Sequence, residues 1–144
     1  MNVVIMQGLP GSGKSTYAQN YGGLVVSADD YFVELGGGTY KFDPSRLSEA
    51  HGQCFRRFVE AVTSKTPHVV VDNTNTTPME ISPYYLGAQA YGYDVEIVRV
   101  ECPSYIAAAR NTHGVSEATI HAMEKRMNES PLPPWWRLRV VKGV

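Results

Sequence analysis

Gly8-Leu9-Pro10-Gly11-Ser12-Gly13-Lys14-Ser15 fills every fixed position of the phosphate-binding loop pattern G-x-x-x-x-G-K-[ST]. The apolar run 3–6 ahead of it reads as a buried strand, and residues 15–21 can continue as a helix, so the motif stands between the elements its mechanism needs. Its glycines let the backbone bend around a polyphosphate with the N–H groups turned inward. Lys14 supplies a cation for the β and γ phosphates, and the Ser15 hydroxyl is a ligand for Mg²⁺. Gly8, Pro10, Gly11, Ser12, Gly13, Lys14, Ser15 and Thr16 are thus the expected ATP-binding segment, with GTP as the alternative nucleotide.

Working outward, short β-rich runs alternate with helical patterns, the mark of βαβ units and a parallel sheet. The runs are 3–6, 24–27, 68–72 and 95–100, with 137–142 a weaker fifth. Asp43-Pro44 caps a helix on which Leu47, Ala50, Cys54, Phe58 and Ala61 recur every three or four residues. Thr77-Pro78-Met79-Glu80 is a capping box for the next helix, in which Pro83 predicts either a kink or a later start at Ser82. Helical patterns at 104–110 and 116–128 flank a break at 111–114, which reads as a lid over about 110–128. Trp135-Trp136 are expected to dock the tail on the core. The expected fold is α/β: a three-layer P-loop kinase domain over 1–144, with four to five parallel strands in the order 2-3-1-4-5.

The 144 residues, 43% hydrophobic and 19% charged, suffice for one core. A net charge of −1 argues against strong nonspecific attraction to polyanions or anionic membranes, but the charge is uneven. From Arg110 onward six basic residues (Arg110, Lys125, Arg126, Arg137, Arg139, Lys142) face three acids, so that part carries +3 and the rest −4. Cys54 and Cys102 form no C-x-x-C pair and read as buried free thiols. The N-terminal apolar run is short, lacks the basic flank of a leader, and no stretch has the length of a membrane span. A cytoplasmic protein that does not enter membranes is expected.

In an open parallel sheet, ligands bind at the carboxyl ends of the strands, which selects Ser27-Ala28-Asp29-Asp30-Tyr31 and Asp72-Asn73-Thr74-Asn75. Phosphoryl transfer needs in-line positioning, charge neutralisation and a base aimed at the acceptor hydroxyl. Asp29 is the expected base, with Asp30 a helix N-cap or a hydrogen-bond partner. Asp72, after Val69-Val70-Val71, is the expected acid for Mg²⁺ or its waters. Arg110 at the helix break is the expected lid arginine on phosphate, its alternative being a surface pair with Glu101 or Glu117. Arg126 is a candidate for the nucleotide base or a plain surface residue. The scattered histidines offer no ligand-spaced set.

The P-loop, Asp29-Asp30-Tyr31, the Thr74-Asn75 turn and Arg110-Asn111 resemble polynucleotide-kinase-like P-loop kinases across almost the whole chain, the kinase domain of the phage enzyme among them. Asp72-Asn73-Thr74-Asn75, Tyr40-Lys41-Phe42 and the run 110–115 look closer still to small eukaryotic members of the superfamily, which also includes AAA/zeta-toxin-like kinases. The resemblance implies that Asp29 is the general base and that Arg110 contacts the phosphate donor. Three positions depart from the phage pattern. Phe32 stands where an arginine would grip the acceptor's phosphate, His113 replaces a second lid arginine, and the acid beside Thr-Asn is shifted to Asp72, leaving Asn73 in its place.

The loop 36–42 mixes glycine with rings and a cation, so Phe32, Tyr40 and Lys41, together with Asn73 and Thr74, are the expected acceptor contacts beside Asp29. Tyr31 and Phe42 could likewise stack on a base, Phe32 and Phe42 being equally readable as core. Three functions fit the pattern. One is an ATP- and Mg²⁺-dependent kinase acting on a nucleic-acid hydroxyl, DNA ahead of RNA, at a 5′ end or at a hydroxymethyl group of a phage DNA base such as hydroxymethyluracil. The others are a small-molecule kinase for a nucleoside, sugar or antibiotic, and a nonenzymatic nucleotide switch.

Overall fold

The computed structural model describes residues 1–143. Five strands, β1 (Asn2–Gln7), β2 (Leu24–Val26), β3 (His68–Asp72), β4 (Asp94–Glu101) and β5 (Leu138–Lys142), pair in parallel in the order β2-β3-β1-β4-β5, as expected. The α-helices are α1 (Lys14–Tyr21), α2 (Asp29–Leu35), α3 (Leu47–Thr63), α4 (Pro78–Ala90), α5 (Ser104–Arg110) and α6 (Glu117–Glu129).

Layering follows from the side-chain alternation of the strands. Val3, Ile5, Val69, Val71, Val95 and Ile97 point to one face and pack with Ala50, Cys54, Phe58, Ile81, Tyr84 and Ala88 of α3 and α4. Val4, Met6, Val70, Val98 and Val100 point to the other and meet Ala18 of α1. Covered on both faces, β1 and β3 carry unbroken apolar runs at 3–6 and 69–71, whereas edge strand β5 leaves Val140 47% exposed.

The capping signals read from the sequence hold at Asp43 and Thr77, and the N-cap alternative for Asp30 fails. Asp43 accepts from the Ser45 amide at 3.0 Å and opens a 3₁₀ turn (Pro44–Arg46) that runs into α3, whose Ala50, Cys54, Phe58 and Ala61 are buried. Thr77 caps α4 by accepting from the Glu80 amide, and Glu80 in turn accepts from the Thr76 amide at 2.7 Å. Pro83 therefore lies inside α4, and the start at Ser82 is not used. Ser116 caps α6 by accepting from the Thr119 amide at 3.2 Å. In α2 the N-cap is Ala28, with Asp29 and Asp30 both in the first turn, so Asp30 is not the cap.

The tail divides between its tryptophans. Trp136 stacks on Tyr85 at 4.7 Å, and the Arg137 amide donates to the Tyr85 hydroxyl at 3.0 Å. Trp135 is 78% exposed and does not dock. Cys54 is a buried free thiol as expected, but Cys102 is only half-buried, at the end of β4. No helix among the described residues is long and apolar enough to cross a membrane.

Candidate active site

The site is assembled where β1 and β3 end side by side, Met6 in register with Asp72. The Gly8 amide donates to the Thr74 carbonyl at 3.1 Å, lashing the start of the P-loop to the turn after β3. Gly13 then adopts a left-handed φ of 97° as the N-cap of α1, with no side chain capping the helix among the described residues. The first amides of α1 are left for an anion, where the helix dipole also favours one. Pro10 and Ser12 are buried, Thr16 is exposed, and the Ser12 hydroxyl has no hydrogen-bond partner among the described residues.

Lys14 and Asp72 share the floor. Lys14 is 9% and Asp72 7% exposed. Burial pushes the Asp72 carboxyl above its usual range, while the Lys14 charge and a hydrogen bond from the Ser15 hydroxyl pull it back. One carboxylate oxygen, Oδ1, is buried without a partner among the described residues. A buried anionic oxygen with no donor beside a hydroxyl fits Mg²⁺, whose ligands are oxygens and which keeps waters and phosphates in its shell. Ser15 and Asp72 are the residues that would hold it.

Asp29 enters the same field from the first turn of α2, since its charge raises the Asp72 carboxyl further. The turn is braced by Asn73, whose Oδ1 accepts from the Ala28 amide at 2.9 Å while its amide donates to Cys54 Sγ at 3.5 Å. Asn73 thus faces inward. Asp30 turns away to α3, where Arg57 lies 3.6 Å off and also pairs with Glu34. Burial lifts the Asp30 carboxyl and Arg57 opposes the rise.

Two segments converge on Asp29. Burial, followed by the Asp29 charge and then the Asp29 carboxylate as a hydrogen-bond acceptor, pushes the Tyr40 phenol up to about 12. His113 Nδ1 lies 3.6 Å from Asp29 Oδ2, and the His113 ring stacks on Tyr40 at 4.3 Å and 17°. His113 is thereby a site residue that its scattered spacing conceals. Its signals in the sequence are its place in the lid break and its standing where the phage pattern has a lid arginine.

Around this centre the other expected residues separate. Phe32 is 1% exposed beneath Tyr40 and Phe42, so its ring supports theirs instead of lying open to a ligand. Lys41 is exposed, its amide tied to the Phe32 carbonyl at 3.1 Å. Phe42 is 47% exposed. Thr74 is half-buried and takes part through its carbonyl. Arg110 ends α5, one turn after Ala107, whose carbonyl oxygen fills the space that a β-carbon on Gly11 would need. Gly11 has φ of 82°, so backbone shape and lid contact both require glycine there. Leu9, Ala107 and Ile120 form a small core that fastens the lid to the P-loop. Arg126 reaches Thr76 Oγ1 at 3.4 Å. Gln7, to which the sequence assigns no role, and Asn75, the last residue of the cluster after β3, are buried: Gln7 donates to the Asn75 carbonyl and accepts from Arg99, and Asn75 donates to the Met6 carbonyl. A cavity of about 380 Å³ beside α1 is lined by Gly13, Thr16, Tyr17, Val141, Lys142 and Gly143.

Comparison with known proteins agrees with this geometry. The profile of a family described as AAA domain matches residues 3–129. Human NEDD4-binding protein 2 is 37% identical over 131 residues, which cover 84% of this chain but only 7% of that protein. Among solved structures, one from the Pnkp1/Rnl/Hen1 RNA repair complex superposes with a TM-score of 0.72 at 18% identity, over 90% of this chain and 44% of that one. A gluconokinase from Sinorhizobium meliloti 1021 gives 0.62 at 16% identity, over 99% and 83%. A P-loop with its lysine and buried acid in place, on a sheet of order 2-3-1-4-5, and a family match over most of the length lead to one assignment: the chain belongs to the AAA domain family and has the P-loop kinase fold.

Proposed function

We propose that the protein is an ATP-dependent kinase that moves the γ-phosphate to a hydroxyl of a nucleic acid. The observation that carries this reading is Asp29, a carboxylate 42% exposed at the mouth of the site while its charge is felt at the buried Asp72 beside Lys14. A base so placed can meet an acceptor from outside while the donor's phosphates lie along the P-loop.

Transfer is a single displacement at phosphorus. The acceptor oxygen forms a bond to the γ-phosphorus as its proton passes to the Asp29 carboxylate, and the bond from that phosphorus to the β,γ-bridging oxygen breaks, releasing ADP. Lys14 offsets charge on the phosphates, the α1 amides hold them, and Arg110 at the lid break adds a planar cation. Mg²⁺, when bound at Ser15 and Asp72, supplies further charge neutralisation. The cavity bordered by Thr16 and Lys142 has the size to take the base of ATP. On the acceptor side, Tyr40 and Phe42 offer rings and Lys41 a cation, the combination that suits a base followed by a phosphate. The structural neighbour drawn from an RNA repair complex favours the same acceptor class.

The test is transfer of labelled γ-phosphate to 5′-hydroxyl DNA, 5′-hydroxyl RNA, hydroxymethyluracil DNA, free nucleosides and gluconate. Label on any of the polynucleotides supports the reading and names its acceptor, with DNA expected ahead of RNA. Label confined to nucleosides or gluconate makes the protein a small-molecule kinase, and no transfer to any acceptor counts for a nucleotide switch.

A further inference from the structure

Tyr40 and His113 lie 73 positions apart in sequence, on the two walls of the cleft, yet each is set by its own backbone. On the acceptor side, the Lys41 amide and the Gly36 amide both donate to the Phe32 carbonyl, and the Tyr40 ring rests edge-on against buried Phe32. On the lid side, Asn111 Oδ1 accepts from the His113 amide at 3.0 Å while its Nδ2 donates to the Val115 carbonyl. This turn, one arm of which is built by a side chain, presents the imidazole outward. The two rings meet in a near-parallel stack, and both bear on one carboxylate: Tyr40 through its hydroxyl, His113 through Nδ1.

We propose that His113 is a positioning residue of the lid that latches onto Tyr40 and Asp29, so that the base is oriented only when the lid is down. The proposal rests on Asp29 being the base. An isolated Asp side chain can turn about two torsions, and a ring on each side narrows that freedom and leaves lone pairs for the acceptor. The groups facing His113 are Asp29 of α2, Tyr40 of the loop and, through space, Asp72 of β3, two of them acids. A phosphate ligand would face cations instead. The latch couples the two substrates: α5 is seated on the P-loop through Ala107 and Gly11, so a donor that settles the lid also delivers His113 to the base. The lid histidine therefore serves the acceptor half of the reaction.

The experiment compares His113→Ala, Tyr40→Leu, Asp29→Asn and the double variant His113→Ala/Asp29→Asn. Substitution of the His113 side chain leaves the lid turn intact, because Asn111 holds the backbone amide. Three readouts are taken on each: the Kd of Mg-ATP, the rate of transfer to a 5′-hydroxyl oligonucleotide, and the slow release of ADP with water as acceptor. The water arm keeps the test alive if the oligonucleotide is not the acceptor. His113→Ala is expected to lower the turnover about tenfold with Mg-ATP affinity within about twofold. The double variant should be no slower than Asp29→Asn alone, because a positioning residue has nothing to act on once the base is gone. In the proton–carbon spectrum, Tyr40→Leu should move the His113 ring signals downfield as the stacked ring is lost. Weakened Mg-ATP binding with unchanged turnover, additive losses in the double variant, or an unmoved His113 spectrum would each overturn the latch. Failure of Asp29→Asn to slow either arm would overturn the base assignment itself.

Discussion

Asn73 holds the Ala28 amide at 2.9 Å, and through that bond the end of β3 fixes the turn from which Asp29 projects. Both residues are buried, so the bond is made in a medium where losing either partner is costly. Replacing Asn73 by Leu should lower stability by about 1–3 kcal/mol through the orphaned amide. Turnover should fall as well, with the Kd of Mg-ATP little changed. Urea unfolding and single-turnover rates on one preparation check both effects.

Lys14→Ala should abolish transfer and the thermal protection given by Mg-ATP, since its ammonium group serves the phosphates and not the hydrophobic core. A cooperative melt of the unliganded variant shows that the fold survives. Retained turnover would refute the role given to the P-loop lysine.

The two adjacent acids should behave differently. Asp29→Asn keeps the volume and removes the base, so kcat should drop by about 10²-fold or more. Asp30→Asn breaks a half-exposed pair with Arg57 and should cost little activity. The reverse order of effects, measured under saturating ATP, would move the base to Asp30.

Asp72 carries a pH signature. Burial raises its carboxyl above 3.8 in the folded chain, so the folded state holds this proton more tightly than the unfolded state. The unfolded state then binds fewer protons, and this group's contribution to stability is complete below the ordinary carboxyl range and is lost as pH rises through the raised folded value. Without ligand, Asp72→Asn should therefore gain on the wild type as pH rises from acid toward neutral. Mg-ATP should reverse the order at neutral pH by favouring the ionised acid. Denaturation series with and without Mg-ATP decide it.

For a polynucleotide acceptor running from Lys41 toward the basic C-terminal quarter, KM should rise steeply with salt, because each neutralised phosphate releases counterions. Lys41→Ala should weaken binding and flatten that slope while leaving the ATP KM nearly constant. A salt-independent acceptor KM would fit a nucleoside or sugar instead.

Local pattern made much of this molecule legible. The P-loop, the five runs that became strands and the caps at Asp43 and Thr77 depend on neighbours within a few residues, and the strand order goes with the fold that the P-loop implies. What escaped depends on the third dimension. Phe32 and Phe42 look alike as letters, and only the packing of α2 decides that one is covered and the other open. Trp135 and Trp136 are adjacent, so a turn sends just one of them to Tyr85. The family pattern carries an acid where Asn73 stands, and its inward bond to Ala28 cannot be inferred from β3 alone. His113 acquires its meaning from a ring that folding brings across the cleft from Tyr40.

The seat of Ala107 on Gly11 sets a mechanical limit on the lid. With the carbonyl of α5 lodged where a β-carbon would be, the root of that helix cannot swing as a door from its first residue without leaving the loop that grips phosphate. Ile120 of α6 sits in the same small core and Ser104 of α5 bonds Glu124 and His121, so the two helices are held together and the turn 111–116 with His113 is the part left to move. Opening is then a short tilt of that turn, and a bulky residue at position 11 would jam the root instead of loosening the tip.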